Sequence, residues 1–256
     1  MHVGLAILWF LSALMASGCG PARLGQDPDI VWWTDHETGS FTDWDDGGWH
    51  WTTEGGSATI VALPSPARSG SHSFESRVIS PGVGIQSGAQ GSRGELPSAA
   101  YYSAWFYLPA AITSTSYLVL CKFRSRRDPT DQATITNAWD IDITTNSSGT
   151  MFFSLYDHAS ASALEDYAHA IPLRTWFQVE VYLRAASDAT GEITVWIDGV
   201  QGFHVLERAT MPSSYVEWGV GGIAETITPD PTTLYIDDVA ISKRRLGPQF
   251  PVFSRE

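Results

Sequence analysis

Lys122 and Arg124 stand two residues apart in a run, 116–125, that reads as a β-strand, and Tyr156 and His158 stand two apart at the end of a second, 150–157. Strand side chains alternate between faces, so each pair lies on a single face. These residue types suit β-elimination, which needs a cation at a carboxylate, a base for the neighbouring C–H proton and an acid for the leaving oxygen. A guanidinium grips a carboxylate at two points, which gives Arg124 the neutralising role with Lys122 assisting. An imidazole has an ordinary pKa of roughly 6.5, which makes His158 the base and leaves Tyr156 as the acid. The plainer reading is a solvated strand face for Lys122 and Arg124 and a loop position for His158.

Two further patterns bear on chemistry. Asp140 and Asp142 share a face of the run 134–144, and glycoside hydrolysis needs two carboxylates across the scissile bond. Thr144 and Thr145 follow where another acid would extend the set, so the pair reads as a polar outer face. Trp105 and Tyr107 alternate onto one face, as do Phe152 and Tyr156. Such rings stack on the apolar faces of pyranoses or, equally, line a core.

All of these side chains need strands to aim them. From residue 31 onward, alternating runs predict strands at 101–108, 116–125, 134–144, 150–157, 175–184, 192–198, 200–206 and 233–242, with shorter ones at 58–63 and 72–78. Asp198-Gly199 between two alternating runs is a two-residue hairpin signal. Residues 160–170 read as a helical turn or a loop. In 175–184, Phe177, Val179, Val181 and Leu183 form the core face. So many antiparallel strands, each apolar on one side, need two packed sheets, and an all-β antiparallel jelly-roll sandwich over 31–248 is the economical arrangement.

The run Trp176-Phe-Gln-Val-Glu-Val-Tyr182, then Gly191-Glu-Ile-Thr-Val-Trp-Ile-Asp-Gly199, then Leu234-Tyr-Ile-Asp-Asp-Val-Ala-Ile-Ser242, resembles the concanavalin A-like lectin/glucanase superfamily. The likeness is to its laminin-G-like and heparin-lyase-I-like polysaccharide lyase branches. That superfamily holds lectins, glycosidases, lyases and adhesion modules, so the resemblance implies a fold more than an activity. Arg93 and Glu95, in Ser-Arg-Gly-Glu-Leu, resemble the Arg-x-Glu-Leu strand of alginate lyases and become substrate-binding candidates, with Trp105 and Tyr107. The C-terminal Lys-and-Tyr strand of those lyases is replaced here by Tyr235-Ile-Asp-Asp. The resemblance also implies a structural calcium, held by Glu37 from the first strand region and Asp237 from the last. Calcium takes several hard oxygens in loose geometry, and the alternative is a pair of solvated acidic strand ends.

Composition sets the outer limits. The chain has 256 residues and a net charge of −13, which argues against nucleic acid, whose binding needs a basic face. Removing a leader leaves roughly 230 residues, enough for one large β domain. Residues 3–18 are an apolar run that closes on Ala16-Ser17-Gly18-Cys19. This resembles a bacterial lipoprotein signal over 1–19, with Cys19 as the acylated N-terminus; cleaved secretion and an uncleaved anchor stay open. Residues 20–30 then form a polar tether and 249–256 a tail, and Lys243-Arg244-Arg245 reads as a solvated chain end. The chain is thus expected to be exported and anchored by lipid at the outer membrane or cell surface. Three functions fit: a polysaccharide-binding module, a lyase acting on a uronate-containing glycan, or an adhesion module with no sugar site.

Overall fold

The computed structural model describes residues 27–114 and 117–249. The signal, Cys19, most of the tether and nearly all of the tail lie outside the described residues. In chain order the first strands are β1 (Ile30–Thr34), β2 (Gly48–Thr53), β3 (Ser57–Ala62), β4 (His72–Val78), β5 (Ser87–Arg93) and β6 (Ala99–Tyr107). The short β7 (Thr113–Ser114) precedes β8 (Leu118–Arg126), β9 (Ile135–Thr145), β10 (Met151–Asp157), β11 (Ser162–Asp166) and β12 (Trp176–Arg184). Then come β13 (Gly191–Ile197), β14 (Val200–Arg208), β15 (Tyr215–Ala224), β16 (Ile227–Thr228) and β17 (Thr232–Ser242).

Two antiparallel sheets carry the molecule. The first runs β14-β13-β12-β6-β17-β4-β3, with β1 added to the far half of β17. The second runs β11-β10-β9-β8-β15-β5-β2. Their inner faces meet in one core where Phe106, Phe177, Phe153, Tyr102, Phe123 and Trp218 are fully buried. The predicted core face of 175–184 is buried as expected. Asp198 and Gly199 both have positive φ (47° and 80°) and turn the hairpin between β13 and β14.

Three expectations need correction. Residues 160–170 hold strand β11, an edge strand whose side chains are mostly exposed and therefore show no apolar alternation. Strands β5 and β15 lie outside the predicted runs: β5 carries glycine and small polar residues where an apolar side chain would mark a face, and in β15 the alternation Val216, Trp218, Val220 ends at Gly221 and Gly222. A Cβ on Gly91 would meet the Trp44 ring at 2.6 Å, and one on Gly221 would meet the Ala89 carbonyl at 2.3 Å. Finally, Lys243–Arg245 is no free end. Arg244 pairs with Asp27 and Asp29, and Arg245 reaches the fully buried Glu180. Glu180 also accepts the Leu246 and Gly247 amides, so this segment straps the outer face of the first sheet.

Candidate functional site

The outer face of the second sheet carries a cleft of about 580 Å³. Register builds it. On β9, Asp140, Asp142 and Thr144 point outward while Trp139, Ile141 and Ile143 enter the core. On β10 their partners are Tyr156, Ser154 and Phe152 respectively, so the two strands lay a continuous floor. Glu165 comes from β11, opposite Ser154. Gln86, Tyr117 and Asn146 close one end, and His158 and Tyr167 border the rest. The Tyr117 hydroxyl accepts from the Gln86 amide and donates to Glu225 at 2.9 Å.

Beside this floor, β8 contributes Lys122, Arg124 and Arg126 on the same outward face, opposite Asp140, Asn137 and Ile135. Each cation has a carboxylate partner. Lys122 Nζ lies 3.4 Å from Asp140, and the pair is almost fully buried. Arg124 lies 3.3 Å from Glu217 on β15, and Arg126 contacts the same fully buried carboxylate. Arg126 also covers the Trp49 ring at 5.4 Å. His158 places Nε2 2.9 Å from Oδ2 of Asp140, the same oxygen that Lys122 approaches, and meets the Tyr156 ring edge to face, centroids 4.9 Å apart. The loop that holds His158 is fixed by Asp157, which accepts from the Ala159 amide and the Ser160 hydroxyl and pairs with Arg208.

Asp142 is the group in the floor with the most unusual environment. Its side chain is buried, and Oδ1 has no hydrogen-bond partner among the described residues. Burial, and then the Asp140 charge, hold its pKa well above the ordinary carboxylate range, against the pull of Lys122.

The structure therefore brings Lys122, Arg124, Tyr156 and His158 to one face of one sheet, and it corrects the reading of Lys122 as solvated: only 4% of the residue is exposed. Asp140 and Asp142 are likewise not a solvated face but the buried floor of a cleft. The other candidates lie elsewhere. Trp105 and Tyr107 face outward from the first sheet, on the opposite side of the sandwich. Arg68 covers Trp105 at 3.8 Å, and Tyr107 packs among Trp176 and Tyr235. Arg93 covers Trp32 and donates to the Asp43 and Asp46 carbonyls, away from the cleft. Glu95 is exposed in the turn after β5. Glu217, Glu165 and Tyr117 were missed. Glu217 sits in glycine-rich β15, between the core residues Val216 and Trp218, and Glu165 sits in the mostly exposed edge strand.

Glu37 and Asp237 close one loop from two sides. Glu37 accepts the Ser71 and His72 amides at 2.8 and 2.7 Å, and the Ser71 hydroxyl. Asp237 accepts the Arg68, Ser69 and Asp238 amides and faces His36. These donors occupy most of the carboxylate lone pairs, and among the described residues no group of three or more His, Cys, Asp or Glu is arranged to hold a metal. Together the two carboxylates hold the Arg68–His72 loop by hydrogen bonds.

Solved structures share this architecture. An endo-β-1,4-glucuronan lyase from the fungus Trichoderma reesei superposes with a TM-score of 0.67 at 16% identity, covering 87% of this chain and all of that one. The fold is a concanavalin A-like jelly roll. The cellulose-induced protein Cip1 shares this jelly roll at TM-score 0.56 and 18% identity, over 84% of this chain and 98% of its own. The alginate lyase vAL-1 from Chlorella virus does so at 0.55 and 10%, over 84% and 100%. No protein-family model and no curated protein matches the sequence.

Proposed function

We propose that this jelly roll is a polysaccharide-binding module whose ligand lies in the cleft on the outer face of the second sheet. One observation carries the reading: Lys122, Arg124 and Arg126 are each committed to a carboxylate. What the cleft presents to a ligand is then rings, amides, hydroxyls and carboxyls, the groups that stack on sugar rings and orient their hydroxyls. The glucuronan and alginate lyases among the similar structures make glycans the ligand class to test first.

Lyase action is the second reading, favoured by the meeting of Lys122, His158 and Tyr156 around Asp140. In it Arg124 leaves Glu217 to neutralise a uronate, His158 takes the proton and Tyr156 protonates the leaving oxygen. A glycan panel scored both for retention and for release of unsaturated uronate ends separates the two. Binding without release is expected. Release by the wild type that Arg124→Ala and His158→Ala each abolish, with the fold intact, would replace binding by catalysis. A panel with neither retention nor release would leave an adhesion or structural role. The proposed address is the outer membrane or cell surface, through acylation at Cys19.

A further inference from the structure

Among the described residues, the floor of the cleft holds two carboxyl groups on one strand face and one ammonium close to them. Asp140 takes Lys122 at 3.4 Å and His158 at 2.9 Å. Asp140 Oδ1 and Asp142 Oδ1 are both buried without a hydrogen-bond partner among the described residues, but Asp142, two residues along and about 7 Å away by strand geometry, lines the cleft with no cation paired to its other oxygen among those residues either. Because the unpartnered Oδ1 is itself buried, a ligand in the cleft meets this carboxyl through its other oxygen. The groups around it decide in which form it waits. Cys121 lies beneath it, and Val119 on β8 and Ser154 on β10 are its direct cross-strand partners, none of them charged. The charged and titratable neighbours are Lys122 on β8, Asp140 on its own strand, Tyr156 from β10 and His158 in the loop after it, Glu165 from β11 and Tyr167 beyond it, and Tyr117 with Glu225 at the closed end.

Resting on the binding reading, we propose that Asp142 is the specificity-determining residue of the cleft, reaching the glycan as an uncharged acid that donates its proton to a ligand oxygen. Burial and the neighbouring Asp140 charge both favour that form. A neutral acid donates to a uronate carboxylate, whereas an ionised one, beside ionised Asp140, repels it. A neutral glycan meets neither problem, because a sugar hydroxyl donates or accepts as required. The cleft therefore accepts uronate chains only below the ionisation midpoint of Asp142 and neutral chains on both sides of it.

The test pairs a carboxyl ¹³C titration of Asp142 with binding of alginate trisaccharide and of cellohexaose across the same pH range. The expected midpoint lies well above the ordinary range near 4. Trisaccharide affinity should fall about tenfold or more above that midpoint, about 1.4 kcal/mol or more, while any cellohexaose affinity stays flat. Asp142→Asn, which keeps a donor and does not ionise, should remove the pH dependence and hold the uronate at high pH; Asp142→Ala should weaken both ligands. A midpoint near 4, a flat trisaccharide profile in the wild type, or an unchanged slope in Asp142→Asn overturns this inference alone. Retention of neither probe at any pH overturns the binding reading together with it.

Discussion

Lys122 and Asp140 face each other across β8 and β9 with 3.4 Å between ammonium and carboxylate, both almost wholly buried. The ammonium offsets one of two neighbouring acids, so its removal leaves a buried charge uncompensated. Lys122→Ala should destabilise the fold by about 3 kcal/mol at neutral pH, as expected when one partner of a buried pair is deleted. Lys122→Met with Asp140→Leu should recover most of that loss. Urea denaturation of the three proteins measures both effects. A single mutant as stable as wild type would show that the pair is solvated.

Tyr167 stands more than half exposed at the cleft edge, its ring 4.4 Å from that of Phe152. Tyr167→Ala should leave stability within about 0.5 kcal/mol. Glycan retention should fall about three- to tenfold with the stacking ring gone. Affinity electrophoresis on the retained glycan checks the second effect, and unchanged mobility would place the ligand elsewhere.

Asp157 governs the position of His158, and its pH behaviour is readable. Burial raises its pKa, but the hydrogen bonds from Ser160 and Ala159 and the Arg208 charge outweigh that and hold it below the ordinary value. A carboxyl with a depressed folded-state pKa stabilises the fold above its unfolded value, and that contribution is lost as pH falls through the folded one. Wild type should therefore lose stability in acid more steeply than Asp157→Asn. Parallel acid limbs in denaturant titrations at stepped pH would contradict this.

A calcium shared by Glu37 and Asp237, which the resemblance implies and which we propose for this chain, makes a clear demand. A cation bound only by the folded chain raises the melting temperature by mass action. Chelator should then lower the wild-type transition, added calcium should restore it, and Asp237→Asn should respond to neither. A wild-type transition indifferent to both leaves the two carboxylates as a staple for the Arg68–His72 loop.

Acylation at Cys19 should carry the protein into the detergent phase, since each buried methylene contributes roughly 0.8 kcal/mol to membrane binding. Cys19→Ser should move it to the aqueous phase. Aqueous partition of both would remove the lipid anchor.

The sequence by itself determined the strands whose faces differ in polarity. Phe177, Val179, Val181 and Leu183 alternate with polar neighbours, so both the strand and its buried side could be read. The Asp198-Gly199 turn was equally plain, because its backbone needs positive φ. Parity also placed Lys122 with Arg124 and Tyr156 with His158. Which side of the molecule each pair faced, and what stood opposite, only the tertiary structure decided. Cross-strand partners are remote in sequence: Arg124 meets Glu217 through β8 and β15, and Asp140 meets Tyr156 through β9 and β10. Glu217 stands between the alternating core residues Val216 and Trp218, a short run that ends at Gly221 and Gly222 of β15, and Glu165 stands in the edge strand β11, where most side chains are exposed. Parity likewise set Trp105 and Tyr107 on one face, but that face belongs to the other sheet, across the core from the cleft. Local alternation tells a residue which of two faces it shares, and sheet order alone tells which faces meet.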